Sequence, residues 1–214
     1  MADACEVSIA GEPVRLLAER ALYWPARRRL LIADLHLGKG DAFRSAGIAL
    51  PSGGTLHDLA RIGALVSATG ATALWVLGDF LHGSAHERSW RAGWEAWRAA
   101  RPGLQVGVLA GNHDRAAGGL GLEVDLLGHA VEDGPFSLRH APDPRARGHV
   151  LCGHLHPTAR IDGLPRRWPA FWLRDGHTVL PAFSRFTGGR TPATFEGGAF
   201  VACIEGHVLR VPVG

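Results

Sequence analysis

Eight side chains of chemically useful type stand in four short clusters: Asp34 and His36 in D-x-H, Asp79 in G-D, Asn112, His113 and Asp114 in G-N-H-D, and His154 and His156 in G-H-x-H. They are carboxylates, imidazoles and an amide without a thiolate, a set suited to hard or borderline divalent ions rather than to a cysteine-rich structural zinc. The set describes a dinuclear site. Positions i and i+2 of an extended segment point the same way, so Asp34 and His36 can share one ion while His154 and His156 address neighbouring ones. Gly78, Gly111 and Gly153 stand directly before candidate ligands, where tight turns would let the following group face inward.

Such groups act together only if distant segments deliver them to one place. Each cluster follows a short apolar run, at residues 30–33, 73–77, 105–110 and 149–152, and these runs read as buried strands. Ligand sites in open α/β sheets form beyond the carboxyl ends of strands, which is where all four clusters fall. Two helical patterns lie between them. Residues 55–68 place Leu56, Leu59, Ile62 and Val66 on one stripe after a turn containing Pro51, Gly53 and Gly54. Residues 85–100 follow Ser84, an N-cap candidate, and stop at Pro102 and Gly103. In that second helix Trp90, Trp94 and Trp97 are spaced i, i+4, i+7, a stripe that packs into the core with the arginines on the wet face.

The second half reads as short strands at 136–140, 158–161, 170–174, 177–182, 199–204 and 208–211, and the N-terminal part adds strands at 14–18 and 22–24. The expected fold is α/β, with two packed mixed β-sheets flanked by helices in a four-layer αββα sandwich, forming a single domain over residues 1–214.

A chain of 214 residues with 46% hydrophobic and 20% charged residues can bury a core without a disulfide or metal staple. Cys5, Cys152 and Cys203 fit neither a disulfide framework nor a CxxC zinc site, and read as reduced and mostly buried. No apolar run approaches the roughly 20 residues of a membrane helix, and the N-terminus lacks a signal-peptide profile, so a cytoplasmic protein without membrane contact is expected. The net charge of +3 is too small to announce nucleic acid by itself. Of the 23 basic residues only Lys39 is a lysine. Guanidinium groups can fork onto phosphate, although genome base composition produces the same bias.

The succession D-x-H, G-D, G-N-H-D and G-H-x-H, spanning Asp34 to His156, resembles the signature of the calcineurin-like metallophosphoesterases. The segment from Lys39 to Pro51, G-D-F-L-H-G, His140-Ala141-Pro142, G-H-L-H-P and P-A-F-S-R-F-T-G-G at residues 181–189 further resemble the bacterial DNA-ligase-associated members, thought to act as DNA-damage-response endonucleases. The resemblance implies a first metal held by Asp34, His36, Asp79 and His156, and a second held by Asp79 as bridge with Asn112, His140 and His154. The family needs one more histidine between the third and fourth motifs, and His129, His140 and His149 are the candidates. His140 is preferred because it ends an apolar run and precedes Ala-Pro, whereas His129 reads as a turn after a helix and His149 opens a strand. His113 is the candidate to stabilise or protonate the leaving oxygen, with Asp114 orienting its ring.

The implied activity is that of a phosphodiesterase, more narrowly an endonuclease in DNA repair, with two divalent ions and Mn2+ as the expected metal. Two such ions about 3.5–4 Å apart lower the pKa of a shared water, set it in line with phosphorus and neutralise charge on the phosphate oxygens. His82 occupies a place that is acidic in many phosphatases of the superfamily and histidine in repair nucleases, which leans toward diesters; a turn-capping histidine is the alternative. Lys39 and Arg44 follow the first motif and could contact phosphate or be solvated surface charge, and Arg185 could reach the site from its glycine-rich loop. Arg27 to Arg29, Arg145 with Arg147, and Arg166 with Arg167 would form a phosphate-tracking surface if folding brings them to one rim. DNA is the expected partner, with a DNA ligase and a helicase implied by family association and a homodimer as one source of DNA affinity. A phosphomonoesterase or small-nucleotide phosphohydrolase using the same site is the alternative activity. A scaffold like the retromer subunit, with a degraded site, is argued against by the complete ligand set.

Overall fold

Alternation of side chains across strands accounts for most of the core. The computed structural model describes residues 3–49, 52–82, 88–114, 120–191 and 198–211, and begins with an antiparallel meander, β1 (Ala4–Ile9), β2 (Glu12–Leu17) and β3 (Ala21–Trp24). A single 3-10 turn at Pro25–Arg27 leads into β4 (Arg29–Ile32), followed by α1 (Lys39–Ser45), α2 (Gly54–Thr69), β5 (Ala73–Val76), α3 (Arg88–Ala99), β6 (Gln105–Val108) and β7 (Asp125–Leu126). These seven strands form one sheet in chain order, antiparallel from β1 to β4 and parallel from β4 to β7.

The remaining strands are β8 (Ala130–Asp133), β9 (Phe136–Arg139), β10 (His149–Cys152), β11 (Thr158–Ala159), β12 (Trp168–Arg174), β13 (His177–Val179), β14 (Ala199–Ile204) and β15 (His207–Val211). They build the second sheet in the order β15-β14-β12-β13-β10-β9-β8, with β11 paired to β12. Within it β9, β10 and β13 run parallel. One face of each sheet meets the other in a shared core that includes Leu22, Trp24, Leu31, Trp75, Phe136, Leu151 and Phe171. The expected α/β class, with two packed mixed sheets, is therefore present.

The outer face of the first sheet is covered by α2 and α3, where Trp90, Trp94 and Trp97 are buried among Leu59, Ile62, Leu65 and Phe80. The tryptophan stripe is therefore core, and truncating a buried aromatic of this kind costs about 3–5 kcal/mol. The expected N-cap Ser84 and the turn residue Pro51 lie outside the described residues. Leu56 departs from the expected α2 stripe: it sits in the first turn, 59% exposed, and Leu65 takes its place in the core.

The outer face of the second sheet differs from the expected helical covering. Among the described residues no helix packs on it. Trp168, Trp172, Phe200 and Val179 close that face themselves, with Ile161, Ala146 and Val211 packed against them. Large aromatic rings standing off a sheet remove enough apolar area from water to replace a helix there.

Candidate metal centre

Six of the parallel strands, β4, β5, β6, β9, β10 and β13, end on one rim, and the bridge Ala33 to Ala182 joins the two sheets there. The segments leaving these strands carry the motif residues. Asp34, His36 and His156 form one group, and Asp79, His140 and His154 a second, each with ligand atoms within 4.8 Å of one another. Asp79 Oδ2 lies 3.6 Å from His140 Nε2 and 3.9 Å from His36 Nε2, so this carboxylate faces both groups. Asn112 stands at the mouth of the second group, its side-chain amide 3.5 Å from His154 Nδ1.

The backbone bends sharply to deliver these groups. Asp34, His36, Asp79, His154 and His156 all adopt left-handed conformations, with φ between 47° and 67°. Each such non-glycine residue costs about 1–3 kcal/mol and persists only where the surroundings over-determine it. Backbone bonds do so here: Asp34 donates its N–H to Gly78 O at 3.1 Å, and His36 donates to Asp79 O at 2.8 Å.

The three motif glycines serve mainly by having no side chain. A Cβ at Gly78 would strike the His140 ring, one at Gly111 the backbone and carboxylate of Asp79, and one at Gly153 Ala33 and the Asp34 carboxylate. Only Gly78 among them also has the positive φ that turn formation requires. Gly111 and Gly153 thus permit close approach rather than an unusual turn.

Hydrogen bonds fix the carboxylates from behind. The backbone N–H of His154 donates to both Asp34 oxygens at 3.3 and 3.0 Å, and that of His113 donates to Asp79 Oδ1 at 3.0 Å. His140 Nδ1 bonds Leu77 O at 3.1 Å, leaving Nε2 facing the second group, 3.0 Å from His154 Nδ1. A backbone carbonyl on one ring nitrogen sets the tautomer and orients the other nitrogen for a ligand. His36 has no such partner: both of its ring nitrogens are buried without a hydrogen bond, as is His156 Nε2.

A buried polar nitrogen left without a partner costs about 1–3 kcal/mol. A cation that accepts its lone pair removes that cost, so the donor set fits divalent ions. Burial, followed by the charge of Lys39 and the neighbouring histidines, pushes His36 down to about 2, keeping the imidazole in the neutral form that ligates. Burial and the adjacent His140 also lower His154.

His82 and His113 stand beside these groups. Their rings stack with centroids 5.5 Å apart, and the His113 ring meets His36 edge-on at 5.4 Å. Burial, Lys39 and His113 lower the His82 pKa, and its Nδ1 is buried without a partner. Asp114 corrects an expectation. Its two oxygens accept the backbone N–H groups of Leu81 and Gly111, each at 2.9 Å, instead of orienting the His113 ring. A buried carboxylate between two loops satisfies their orphan amides first, and so it ties the G-D and G-N-H-D segments together.

His129 is exposed and His149 bonds Thr178 Oγ1 at 2.9 Å, so neither joins the cluster. Residue 129 also follows a strand, β7, in place of the expected helix.

Lys39 opens α1 beside the cluster and its Nζ donates to Thr187 Oγ1 at 2.9 Å, which anchors the glycine-rich loop over the site. Arg44 pairs with Asp41 of the same helix. Arg185 does not enter the histidine cluster. Ser184 donates its N–H to Asp34 O at 3.4 Å, and Arg185 lies on the far side of this segment, 3.9 Å from Glu19 Oε2. Arg27 and Arg29 pair with Asp133 at the start of β4, the end of the strand opposite the site. Five residues of extended chain, about 16 Å, separate Arg29 from Asp34. Arg190 was missed by sequence reasoning: with His154, Leu155 and His156 it lines a cavity of about 420 Å³. Its only sequence signal is its place directly after the glycine pair.

Cys152 and Cys203 are buried free thiols and Cys5 is half-buried and free. Burial pushes Cys203 up to about 12 and raises Cys152 as well, so neither serves as a nucleophile.

Comparison with known proteins adds independent support. No curated protein sequence matches the chain. Among solved structures it is similar to the Pseudomonas putida nuclease MPE, with 35% identity, a TM-score of 0.85, and coverage of 98% of this chain and 100% of that one. It shares its fold with YfcE, a phosphoesterase from E. coli, at 17% identity and a TM-score of 0.50, covering 86% of this chain and 97% of that one. The calcineurin-like phosphoesterase family pattern matches residues 27–210, which contain every motif residue described above. The chain therefore belongs to the calcineurin-like phosphoesterase family and is a metal-dependent hydrolase.

Proposed function

We propose that the chain hydrolyses phosphodiester bonds of DNA with two divalent ions, as an endonuclease in DNA repair. The observation that carries this reading is the convergence of two three-residue ligand groups, with Asp79 Oδ2 of the second also facing His36 of the first. Likeness to a nuclease over nearly the full length of both chains supports the diester over other phosphate esters. Asp34, His36 and His156 would hold one ion, His140, His154 and Asn112 the other, and Asp79 would touch both. The mixed carboxylate and imidazole donors fit Mn2+. When bound, the ions supply an activated water and neutralise charge on the phosphate oxygens.

The chain's own residues do the rest. The His113 N–H holds the Asp79 carboxylate, so the residue's imidazole is free of that task. This ring, stacked on His82 at the rim, is the group to protonate the leaving oxygen. His82 supports it with a neutral ring where an acidic group would repel the second ester arm of a diester. Lys39 places a cation beside the site and fixes Thr187, and with it the loop that walls one side.

The test compares Mn2+-loaded protein on bis-p-nitrophenyl phosphate, on p-nitrophenyl phosphate and on single-stranded and plasmid DNA. Faster turnover of the diester together with internal cleavage of DNA is expected. A clear preference for the monoester with intact DNA would assign the site to a phosphomonoesterase or small-nucleotide hydrolase.

A further inference from the structure

The second opening on the same rim is a cleft of about 500 Å³ whose lining includes Arg20, Arg61, Arg166, Arg167 and Arg185 against only two acids, Glu19 and Glu205. The arginines come from four separate stretches of chain: the β2–β3 turn, α2, the segment entering β12, and the loop after β13. Tertiary folding therefore concentrates them.

The cleft is coupled directly to the metal centre. Arg20 Nη1 donates to the carbonyls of Ala182 and Ser184 at 3.4 and 3.2 Å, and Arg61 Nη1 donates to that of Phe183 at 2.9 Å. The opposite edge of the same three residues pairs with Ala33 and Asp34. Residues 182–184 thus lie between these guanidinium groups and a metal-ligand candidate, bonded to both.

The charges in the cleft are unequally engaged. Arg61 is buried and neutralised by Glu19 and Asp58, at 2.6 and 2.9 Å. Arg166 pairs with Glu205 in an exposed bridge and lies over the Trp168 ring at 3.8 Å. Such an exposed pair contributes little and is readily exchanged for another anion. Arg167 is exposed and makes no hydrogen bond or ion pair among the described residues. Burial lowers the Arg20 pKa to about 10, and the neighbouring Arg61 and Arg185 add to the shift.

We infer that this cleft is a second phosphate-binding site, taking a backbone phosphate of the same nucleic-acid strand whose scissile bond lies over the metal centre. The inference rests on the nuclease reading above and adds to it the path of the strand. Arg167 and Arg166 grip the phosphate at the exposed edge. Arg20 and Arg61 hold the 182–184 segment between the two sites and set the spacing.

The experiment measures cleavage of oligothymidylates from two to 12 nucleotides by Mn2+-loaded wild-type protein and by Arg167→Glu, with Arg166→Ala/Arg167→Ala as a milder second variant. Both changes lie at exposed positions, and retained thermal melting confirms folding. Charge reversal should raise KM for the 12-mer about tenfold, and the loss should shrink as the strand shortens toward a dinucleotide with one phosphodiester. The slope of log KM against log[salt] for the 12-mer should fall by about 0.7 for each phosphate that is no longer neutralised, the single-strand value. An unchanged KM for the 12-mer, or an equal loss on the dinucleotide, would overturn the cleft assignment while leaving the nuclease reading intact. Absence of DNA cleavage by the wild-type protein, with p-nitrophenyl phosphate turned over, would instead remove the nuclease reading and the cleft assignment with it.

Discussion

The metal centre and the arginine cleft lie on either side of residues 182–184, yet they are built on opposite principles. In the centre, Asp34 is fully buried, the His36 nitrogens lack partners, and five candidate ligands sit in left-handed backbone. Such a pocket is costly without its ions. In the cleft, Arg61 and Arg20 already bond carboxylates or carbonyls, and the exposed arginines cost nothing to leave in water. The centre requires an occupant to balance its own structure, whereas the cleft can await one. Changes in the centre should therefore act on chemistry and on fold stability together, and changes at the exposed edge of the cleft on substrate affinity alone.

The largest expected effect belongs to Asp79, which faces both ligand groups. Asp79→Asn should lower kcat on bis-p-nitrophenyl phosphate by about 10³-fold, equivalent to about 4 kcal/mol, and reduce bound Mn2+ below two per chain by elemental analysis. Full metal content with near-normal turnover would show that this carboxylate does not join the two groups. Next comes His113→Ala. Because the His113 backbone, not its ring, holds Asp79, the variant should keep its metal while kcat falls about 10²-fold. Loss of metal would reveal that the ring takes part in ligation.

The smallest effect is the pH dependence that His36 contributes. The His36 value in the folded state, about 2, lies below its ordinary value of 6.5. Unfolded chains then bind more protons than folded ones between these limits, so the folded metal-free protein loses stability as pH falls below about 6.5. The loss is up to about 1.4 kcal/mol per pH unit and continues toward pH 2. Urea midpoints of metal-free protein at pH 7.5, 6.0 and 5.0 measure it, and a flat series would show that His36 is solvated in the absence of metal.

Several parts of the fold were legible because strand periodicity is local. The four strands before the motifs were placed to within two residues, and the tryptophan spacing correctly assigned the inner face of α3. Elements with weak local patterns were missed. β1 is partly exposed and carries polar residues, β7 has two residues, β8 is a polar strand at the end of its sheet, and α1 has seven residues with a glycine second. What covers the second sheet was illegible for a related reason: closing it with its own aromatics depends on which rings meet, and no single segment records that.

The types and order of the candidate ligands were readable from the motifs, and they converge as expected. What the motifs did not contain was direction. Arg185 is one residue beyond Ser184, whose N–H bonds Asp34, yet its side chain lies in the neighbouring cleft. Arg27 and Arg29 are close to Asp34 in sequence but sit at the other end of β4, paired with Asp133.

The amino-acid sequence by itself determined the inventory: hard and borderline donors, the strands that end before them, and glycines where a side chain would not fit. Each of these is a property of a few adjacent residues. Only the tertiary structure decided that Asp79 faces both ligand groups, that Asp114 braces loops instead of a ring, and that arginines from four stretches share one cleft. Those outcomes depend on side chains far apart in the chain meeting at fixed distances, and close packing of the two sheets is what sets those distances.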